Sequence, residues 1–115
     1  MLSTTEKTEL LERVGLFGGL DVATVAAIAE RAIEVEFAAE RPIARQGEIG
    51  TGFFLIVRGR ARVVHDGRVI AQLGPGEFFG EISLLDQMPR IASVIAEEPT
   101  TCLALASWDF ERLLE

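Results

Sequence analysis

The sequence has very little of the chemistry that many enzymes and metalloproteins need. Its 115 residues include one cysteine and one histidine. Cys102 has no partner for an internal disulfide, and an iron–sulfur cluster would need several cysteines. Cys102 lies in an apolar stretch and is interpreted as a buried, unreactive thiol. His65 has no second histidine or cysteine at a metal-ligand spacing. No serine, cysteine or paired-carboxylate arrangement indicates catalysis. We therefore expect a chain without enzymatic activity, metal, haem or other cofactor.

Long apolar runs and an excess of basic residues are also missing. No apolar run is longer than Phe53 to Val57, which is far shorter than the ~20 residues that cross a bilayer. The N-terminus does not begin a signal peptide, so we expect a cytoplasmic chain without membrane contact. At a formal charge of −7 the chain lacks the basic face on which duplex affinity depends, and no direct nucleic-acid binding is expected. The alternation with apolar residues assigns three arginines to the solvent face of a strand pair, namely Arg58, Arg60 and Arg62.

What the sequence does contain is typical of a single globular domain. Apolar residues make up 49% of the chain and charged residues 25%. A chain of this length removes roughly two thirds of its unfolded surface from water. Residues 1–32 predict a helical pair, because a capping box at Ser3–Glu6 starts a helix that runs from about Thr4 to Arg13. Asp21 caps a second helix, whose apolar face consists of Val22, Val25, Ala26, Ile28, Ala29 and Ala32.

Residues 33–106 have the pattern of a β structure. From Ile33 the apolar period becomes alternating, and glycines and prolines divide the chain into short strands. This spacing indicates a barrel or a sandwich. Asp66-Gly67 predicts a type I′ hairpin turn, and Ile91–Glu97 and Thr101–Ala106 are predicted as the closing strands. Residues 107–115 are predicted to start a C-terminal helix that is capped by Ser107.

Residues 76–94 combine backbone freedom with a carboxylate and a guanidinium in otherwise apolar sequence. Gly80 allows a tight turn into a short helix, so that the N–H groups of Glu81 and the two residues after it can face an anion. Arg90 can bind the same anion, because a guanidinium meets phosphate with two parallel hydrogen bonds. Ionised Glu81 can only accept hydrogen bonds, so the ligand must also carry hydroxyl groups. A ribose with a cyclic phosphate satisfies both requirements.

This segment resembles the phosphate-binding cassette of the cyclic nucleotide-binding domain family, found in catabolite-activator-type regulators, kinase regulatory subunits and gated channels. The match consists of Phe79-Gly80-Glu81-Ile82-Ser83-Leu84-Leu85, Pro89-Arg90 and Ala92-Ser93-Val94. Upstream, Gln46 to Ile56 and Gly59 to Val63 also follow the family, so the resemblance covers nearly the whole chain. It implies a mainly β fold, a double-stranded β-helix or jelly-roll barrel with two N-terminal helices, a cassette helix and a C-terminal helix.

The resemblance also implies a role for each cassette residue. Glu81 would accept a hydrogen bond from the ribose 2′-hydroxyl, and Arg90 would hold the equatorial phosphate oxygens. Backbone amides would complete the site, those of Gly80, Ile82, Ser83, Ile91 and Ala92. At position 91, cGMP-preferring members commonly have threonine and several bacterial members have serine, whereas Ile91 cannot donate a side-chain hydrogen bond. Losing one such bond costs about 0.5–1.5 kcal/mol, so we expect weakened binding with cAMP preferred over cGMP.

By this resemblance we expect a sensor without its output, either an excised N-terminal domain or a stand-alone module that acts on a partner. In the family a further C-terminal helix folds over the base and relays occupancy to a DNA-binding, kinase or channel module. The expected partners are therefore a cyclic nucleotide and an effector, either beyond Glu115 or on another protein. A barrel that has lost its ligand and acts as an interaction or assembly module stays an alternative, with Ile91 as its support. A cupin-type enzyme is disfavoured, because it needs clustered histidines.

Overall fold

The computed structural model describes residues 1–47, 52–80 and 91–106, together with residues 109 and 112. Two α-helices and a short 3-10 helix come first in these residues, and eight strands follow. In chain order the elements are α1 (Thr4–Glu12), the 3-10 helix (Gly15–Phe17), α2 (Val22–Arg31), β1 (Ile33–Phe37), β2 (Pro42–Ala44), β3 (Gly52–Arg58), β4 (Ala61–His65), β5 (Arg68–Leu73), β6 (Phe78–Phe79), β7 (Ser93–Ala96) and β8 (Thr100–Ala106).

Both helices begin where their capping residues predict. The Ser3 hydroxyl accepts a hydrogen bond from the Glu6 amide at 3.1 Å, and the Glu6 carboxylate accepts one from the Ser3 amide at 3.0 Å. This reciprocal pair is the predicted capping box. Asp21 accepts a hydrogen bond from the Thr24 amide at 2.8 Å and caps α2. These contacts satisfy amides that the first helical turn leaves without partners.

The apolar face of α2 is narrower than the sequence predicts. Val25, Ile28 and Ala29 are at most 1% exposed, and Ala32, which follows the helix, is also buried. The prediction is wrong for Val22, whose side chain is 69% exposed. Val22 is the first residue of α2, whereas the buried residues of the helix begin at Val25.

A lysine ties the first helix to the end of the second. The Lys7 ammonium donates a hydrogen bond to the Ala32 carbonyl at 2.9 Å. The amide of Leu2 donates to the Glu34 carboxylate at 2.7 Å, just after α2 in the chain. Cations near a helix C-terminus interact favourably with its free carbonyls. The helical pair is thereby joined to the start of β1.

The strands form two antiparallel sheets of four. Sheet A has the order β1-β8-β3-β6, and sheet B has the order β2-β7-β4-β5. The predicted hairpin joins β4 to β5 with Asp66 at φ +49° and Gly67 at φ +79°, and His65 pairs with Arg68 across it. Positive φ at both central residues is the geometry of a type I′ turn. The predicted turn is therefore confirmed.

Sheet A is buried on both faces. On one face Phe53, Leu55, Leu103 and Leu105 pack against the helical pair. The opposite face, which we call the inner face, packs against sheet B. Sheet A contributes Ile56 and Cys102 to this core, and sheet B contributes Ile43, Ala44, Ala61, Val94 and Ala96. Because side chains alternate along a strand, neighbouring residues of β3 enter different cores.

The closing strands are close to those predicted. The strand expected over Ile91–Glu97 is shorter and runs over Ser93–Ala96, and the strand expected over Thr101–Ala106 begins one residue earlier. Asp109 and Arg112 are helical, whereas Ser107, the predicted cap of that helix, lies outside the described residues. No helix in the described part of the chain is long and apolar enough to span a bilayer.

Candidate functional site

The structure describes the two ends of the segment that was predicted to bind a ligand. The predicted site residues that it places are Gly80, Ile91 and Ala92. The others lie outside the described residues, namely Glu81, Ile82, Ser83 and Arg90. The geometry of the site is therefore built from the elements that hold these two ends.

The first end leaves sheet A at its edge. Strand β6 pairs with β3 through Phe79 opposite Phe54 and Phe78 opposite Leu55. Gly80 follows directly with φ +85°, a left-handed conformation that glycine adopts without the penalty of a Cβ atom. The next described residues are Ile91 and Ala92, which lead directly into β7 in sheet B. The segment therefore crosses from the edge of one sheet to an inner strand of the other.

Backbone hydrogen bonds extend the pairing of β6 before Gly80. The Ile56 amide donates to the Glu77 carbonyl at 2.9 Å, and the Gly76 amide donates to the Ile56 carbonyl at 2.8 Å. The Glu77 carboxylate also accepts a hydrogen bond from the Gly74 amide at 2.9 Å. These contacts fix the path of the chain that leads into the predicted cassette.

The second end enters sheet B with an exposed apolar side chain. Ile91 is 81% exposed and belongs to neither core, whereas Ala92 is half-buried. Ser93 begins β7 and pairs with Val64 of β4. Position 91 therefore presents an apolar, solvent-facing side chain without a hydroxyl group.

A side-chain network that the sequence analysis missed meets this second end. The Ser93 hydroxyl accepts a hydrogen bond from the Gln46 backbone amide at 2.8 Å. The Gln46 side chain binds Asp66 in two ways, since its Nε2 donates to the Asp66 carboxylate at 2.8 Å and its Oε1 accepts from the Asp66 amide at 3.0 Å. Three separate segments therefore meet at Gln46. Asp66 was assigned only to the turn, and the contacts span 20 and 47 residues in sequence.

The first end is also held by an aromatic cluster on the inner face of sheet A. Phe54 and Phe79 are stacked with ring centroids 5.2 Å apart, and Phe37 meets Phe54 edge to face at 6.2 Å. Such pairs contribute about 0.5–1.5 kcal/mol beyond their buried area. Phe79 is the residue before Gly80. The stack therefore anchors the start of the predicted cassette.

A cavity of about 340 Å³ opens beside this cluster. Phe54 and Ala104 form its apolar wall, and an ion pair lies at its side, with Arg31 Nη1 and Asp109 Oδ1 3.5 Å apart. Its other described lining residues are Ile33, Gly52, Leu105 and Ala106. Gly80, Ile91 and Ala92 do not line it. Among the described residues the cavity is therefore separate from the predicted ligand-binding positions.

The lone cysteine and histidine lie where their sequence context indicates. Cys102 is fully buried on the inner face, and burial raises the pKa of its thiol to about 12. A thiol with so high a pKa is protonated at neutral pH and therefore unreactive. His65 precedes the hairpin turn, and its Nε2 lies 3.7 Å from Asp66 Oδ2. No cluster of metal-binding side chains occurs in the described part of the chain.

The three alternating arginines have different surroundings. Arg58 and Arg60 are exposed, and Arg60 lies between β3 and β4 rather than on a strand. Arg62 forms two hydrogen bonds with the Glu40 carboxylate, at 2.7 and 3.1 Å. Hydrogen bonding to Arg62 lowers the pKa of Glu40. The predicted exposure is thus confirmed for Arg58 and Arg60, and Arg62 is half-buried in an ion pair at the surface.

Comparison with known proteins gives a consistent family assignment. Residues 34–115 match a family model described as the cyclic nucleotide-binding domain. The cyclic AMP receptor protein of Thermus thermophilus is 44% identical over 79 residues, which cover 64% of this chain and 37% of the relative. A cGMP-dependent protein kinase of Toxoplasma gondii is 32% identical over 109 residues, which cover 95% of this chain and 11% of the kinase. The chain thus spans well under half the length of either relative.

Solved structures include close matches to the fold. The regulatory domain of Toxoplasma gondii PKA, crystallised with cAMP, superposes with a TM-score of 0.84 at 26% sequence identity. The superposition covers 96% of this chain and 45% of that one. The two antiparallel sheets therefore have the architecture of a cyclic nucleotide-binding fold.

Proposed function

Because the chain belongs to the cyclic nucleotide-binding domain family, we propose that it is a non-enzymatic regulatory domain whose ligand is cAMP rather than cGMP. Residues 1–115 act as one unit in this proposal. The two sheets close into a jelly-roll barrel, and residues 107–115 start the C-terminal helix. The observation that carries the proposal is the family match, which runs through the whole predicted cassette from Gly76 to Val94.

The proposed ligand contacts combine one charge with several amides. Arg90 holds the phosphate, and the backbone amides of Gly80, Ile82, Ser83, Ile91 and Ala92 surround it. Glu81 accepts a hydrogen bond from the ribose 2′-hydroxyl. The described ends support this arrangement, because Gly80 has the positive φ that a tight turn into the cassette requires.

The preference for cAMP is supported by position 91 and by two of the three proteins compared above. Ile91 is 81% exposed and has no hydroxyl for a further hydrogen bond to the ligand. One matched relative is named a cyclic AMP receptor protein, and the matched PKA structure contains cAMP. The Toxoplasma kinase is named as cGMP-dependent, so the base preference needs a direct competition experiment with both nucleotides.

We propose that occupancy is passed on by a shift between two conformations. A ligand that binds one conformation more tightly raises the population of that conformation. Contacts of the phosphate with Arg90 and the cassette amides would draw residues 80–85 inward. Leu84 and Leu85 would then change their position relative to the C-terminal helix. The receiver is an effector beyond Glu115 or on a partner protein.

Calorimetric titration with cAMP, cGMP and 2′-deoxy-cAMP tests the proposal. Arg90→Ala should weaken cAMP binding by about a hundredfold, because charge-assisted hydrogen bonds contribute about 1.5–3 kcal/mol each. Arg62→Ala is the matched control, since Arg62 already pairs with Glu40 on the surface. Equal affinity for cAMP and its 2′-deoxy analogue would remove Glu81 from its proposed role. No binding of either nucleotide at millimolar concentration would overturn the proposal.

Ile91 favours a second candidate, a barrel that has lost its ligand and serves in assembly. Its exposed apolar side chain would suit a protein contact better than a phosphate site. In that case millimolar cAMP leaves the melting temperature unchanged, whereas a specific ligand raises it by mass action. Arg90→Ala would then also leave association with a partner unaltered.

A further inference from the structure

We infer that Gln46 is a positioning residue that sets the affinity for the cyclic nucleotide by fastening the C-terminal end of the cassette. The inference rests on the proposed function. It concerns the network in which the Gln46 amide donates to the Ser93 hydroxyl and the Gln46 side chain binds both the amide and the carboxylate of Asp66. We call this network the Gln46 clamp.

Strand pairing holds Ser93 from one side, and the clamp adds a contact from the other side. Ser93 starts β7 and is paired with Val64 of β4, two residues before Asp66 in the β4–β5 turn. Gln46 follows β2 and reaches that turn and Ser93 at once. Ser93 is therefore held by strand pairing with β4 and, on its other side, by the hydrogen bond from the Gln46 backbone amide. Its position fixes where the preceding residues, Ile91 and Ala92, present their amides.

The proposed phosphate contacts at this end come from those two backbone amides. A backbone amide cannot change its direction unless the chain around it moves. If the end of the cassette is fastened before the ligand arrives, binding loses less conformational entropy. If it is loose, part of the binding free energy must order the chain. The clamp therefore raises affinity without touching the ligand.

The substitution Gln46→Glu breaks the contact of the clamp with Asp66 with little change in shape, and so removes the side-chain support of the backbone amide that binds Ser93. It replaces the Nε2 donor by a carboxylate oxygen that faces the Asp66 carboxylate at hydrogen-bond distance, and like charges at that distance repel. Adding Asp66→Asn supplies a donor to the introduced carboxylate and keeps the backbone amide of residue 66 as the second donor. Asparagine also tolerates the positive φ of this turn position. The double substitution should therefore rebuild the clamp with donor and acceptor exchanged.

Gln72→Glu is the matched control. Gln72 Nε2 donates to the Glu97 carboxylate at 3.1 Å, so the same substitution brings two carboxylates to hydrogen-bond distance in sheet B, with Arg62 opposite position 72. That pair lies beyond the other end of β7, away from Ile91 and Ala92. A general effect of charge or of sheet stability would appear in both variants.

The experiment measures cAMP affinity and dissociation rate by titration and stopped flow, with hydrogen exchange of the amides of residues 92–94 in the free protein. We expect Gln46→Glu to weaken affinity about three- to tenfold, mainly through faster dissociation, and to speed that exchange. The double variant should return both to within about twofold of the unchanged chain, and Gln72→Glu should alter neither.

Three outcomes would overturn the inference alone while the unchanged chain binds cAMP. These are an unchanged affinity of Gln46→Glu, a double variant that binds no better than Gln46→Glu, and an equal loss for Gln72→Glu. If the unchanged chain binds no cyclic nucleotide, the proposed function fails and the inference about affinity fails with it. The melting temperature of every variant shows that each is folded.

Discussion

The two faces of sheet A are packed in different ways. The face toward the helices is closed, since Phe53, Leu55 and Leu105 are at most 1% exposed there. On the inner face Phe54 and Ala104 are only half-buried, and the cavity of about 340 Å³ opens beside them. Ile56 and Cys102 on the same inner face are fully buried, so the open space lies only beside Phe54 and Ala104. The inner face of sheet A is therefore closely packed over one part and half-buried over another.

The largest predicted effect compares neighbouring phenylalanines on the two faces. Phe53→Ala should lower the free energy of unfolding by roughly 3–5 kcal/mol, because it leaves a cavity in a closed core. Phe54→Ala should cost clearly less, since its ring is only half-buried. Urea denaturation of both variants measures the difference. Equal losses would show that the inner face is packed around Phe54 as tightly as the face toward the helices is packed around Phe53.

The second prediction concerns the helix that covers the closed face. Val25→Ala should cost about 2 kcal/mol, because two buried carbons are removed and a cavity remains. Val22→Ala should change the free energy of unfolding by less than about 0.5 kcal/mol, since Val22 is 69% exposed. The same urea experiment compares them. A similar loss at Val22 would mean that α2 packs on the sheet from its first turn.

The third prediction uses Cys102 as a probe of water on the inner face. Burial raises the pKa of its thiol from 9.0 to about 12. Between these values the unfolded chain loses the thiol proton while the folded chain keeps it, so stability falls as pH rises. Relative to Cys102→Ala, the unchanged chain should lose free energy of unfolding from about pH 9 upward. Parallel pH curves for the two proteins would show that water reaches the thiol.

The smallest predicted effect lies on the outside of sheet B. Glu40 forms a surface ion pair with Arg62, and exposed pairs contribute little. Glu40→Gln should therefore barely move the urea midpoint at pH 7. The lowered pKa of Glu40 means that its contribution is present at neutral pH and disappears as pH falls below 4.5 and through the folded-state pKa. A difference between the two proteins that grew in acid would contradict this assignment.

Local signals predicted the parts of the fold that depend on neighbouring residues. The capping box at Ser3 and Glu6, the cap at Asp21 and the turn at Asp66-Gly67 involve residues at most three apart, and all were confirmed. The burial of β3 was harder to predict. Phe53 to Val57 is an uninterrupted apolar run because both faces of the strand are covered, so no alternation shows which side chain enters which core.

The candidate site was predicted from the order of its residues, whereas its support was not. The cassette motif pointed to Gly80, and the backbone at that residue has the expected positive φ. The roles of Glu81 and Arg90 stay predictions. The Gln46 clamp was not predicted, because its members lie 20 and 47 residues apart in sequence and no local motif links them. Only strand pairing brings them together, and pairing between distant strands leaves no local pattern.

The contact between Lys7 and Ala32 has a practical consequence for binding measurements. Lys7 is the only lysine in the chain, so amine-reactive dyes and sensor surfaces have two targets, its side chain and the α-amino group of Met1. Both lie at the N-terminal helix, and neither belongs to the sheets or to the predicted cassette. Because the Lys7 ammonium is engaged with a carbonyl and Met1 is fully exposed, acylation at mildly basic pH should favour the terminus. The chain can therefore be tethered in one orientation, through the part of the molecule that carries α1.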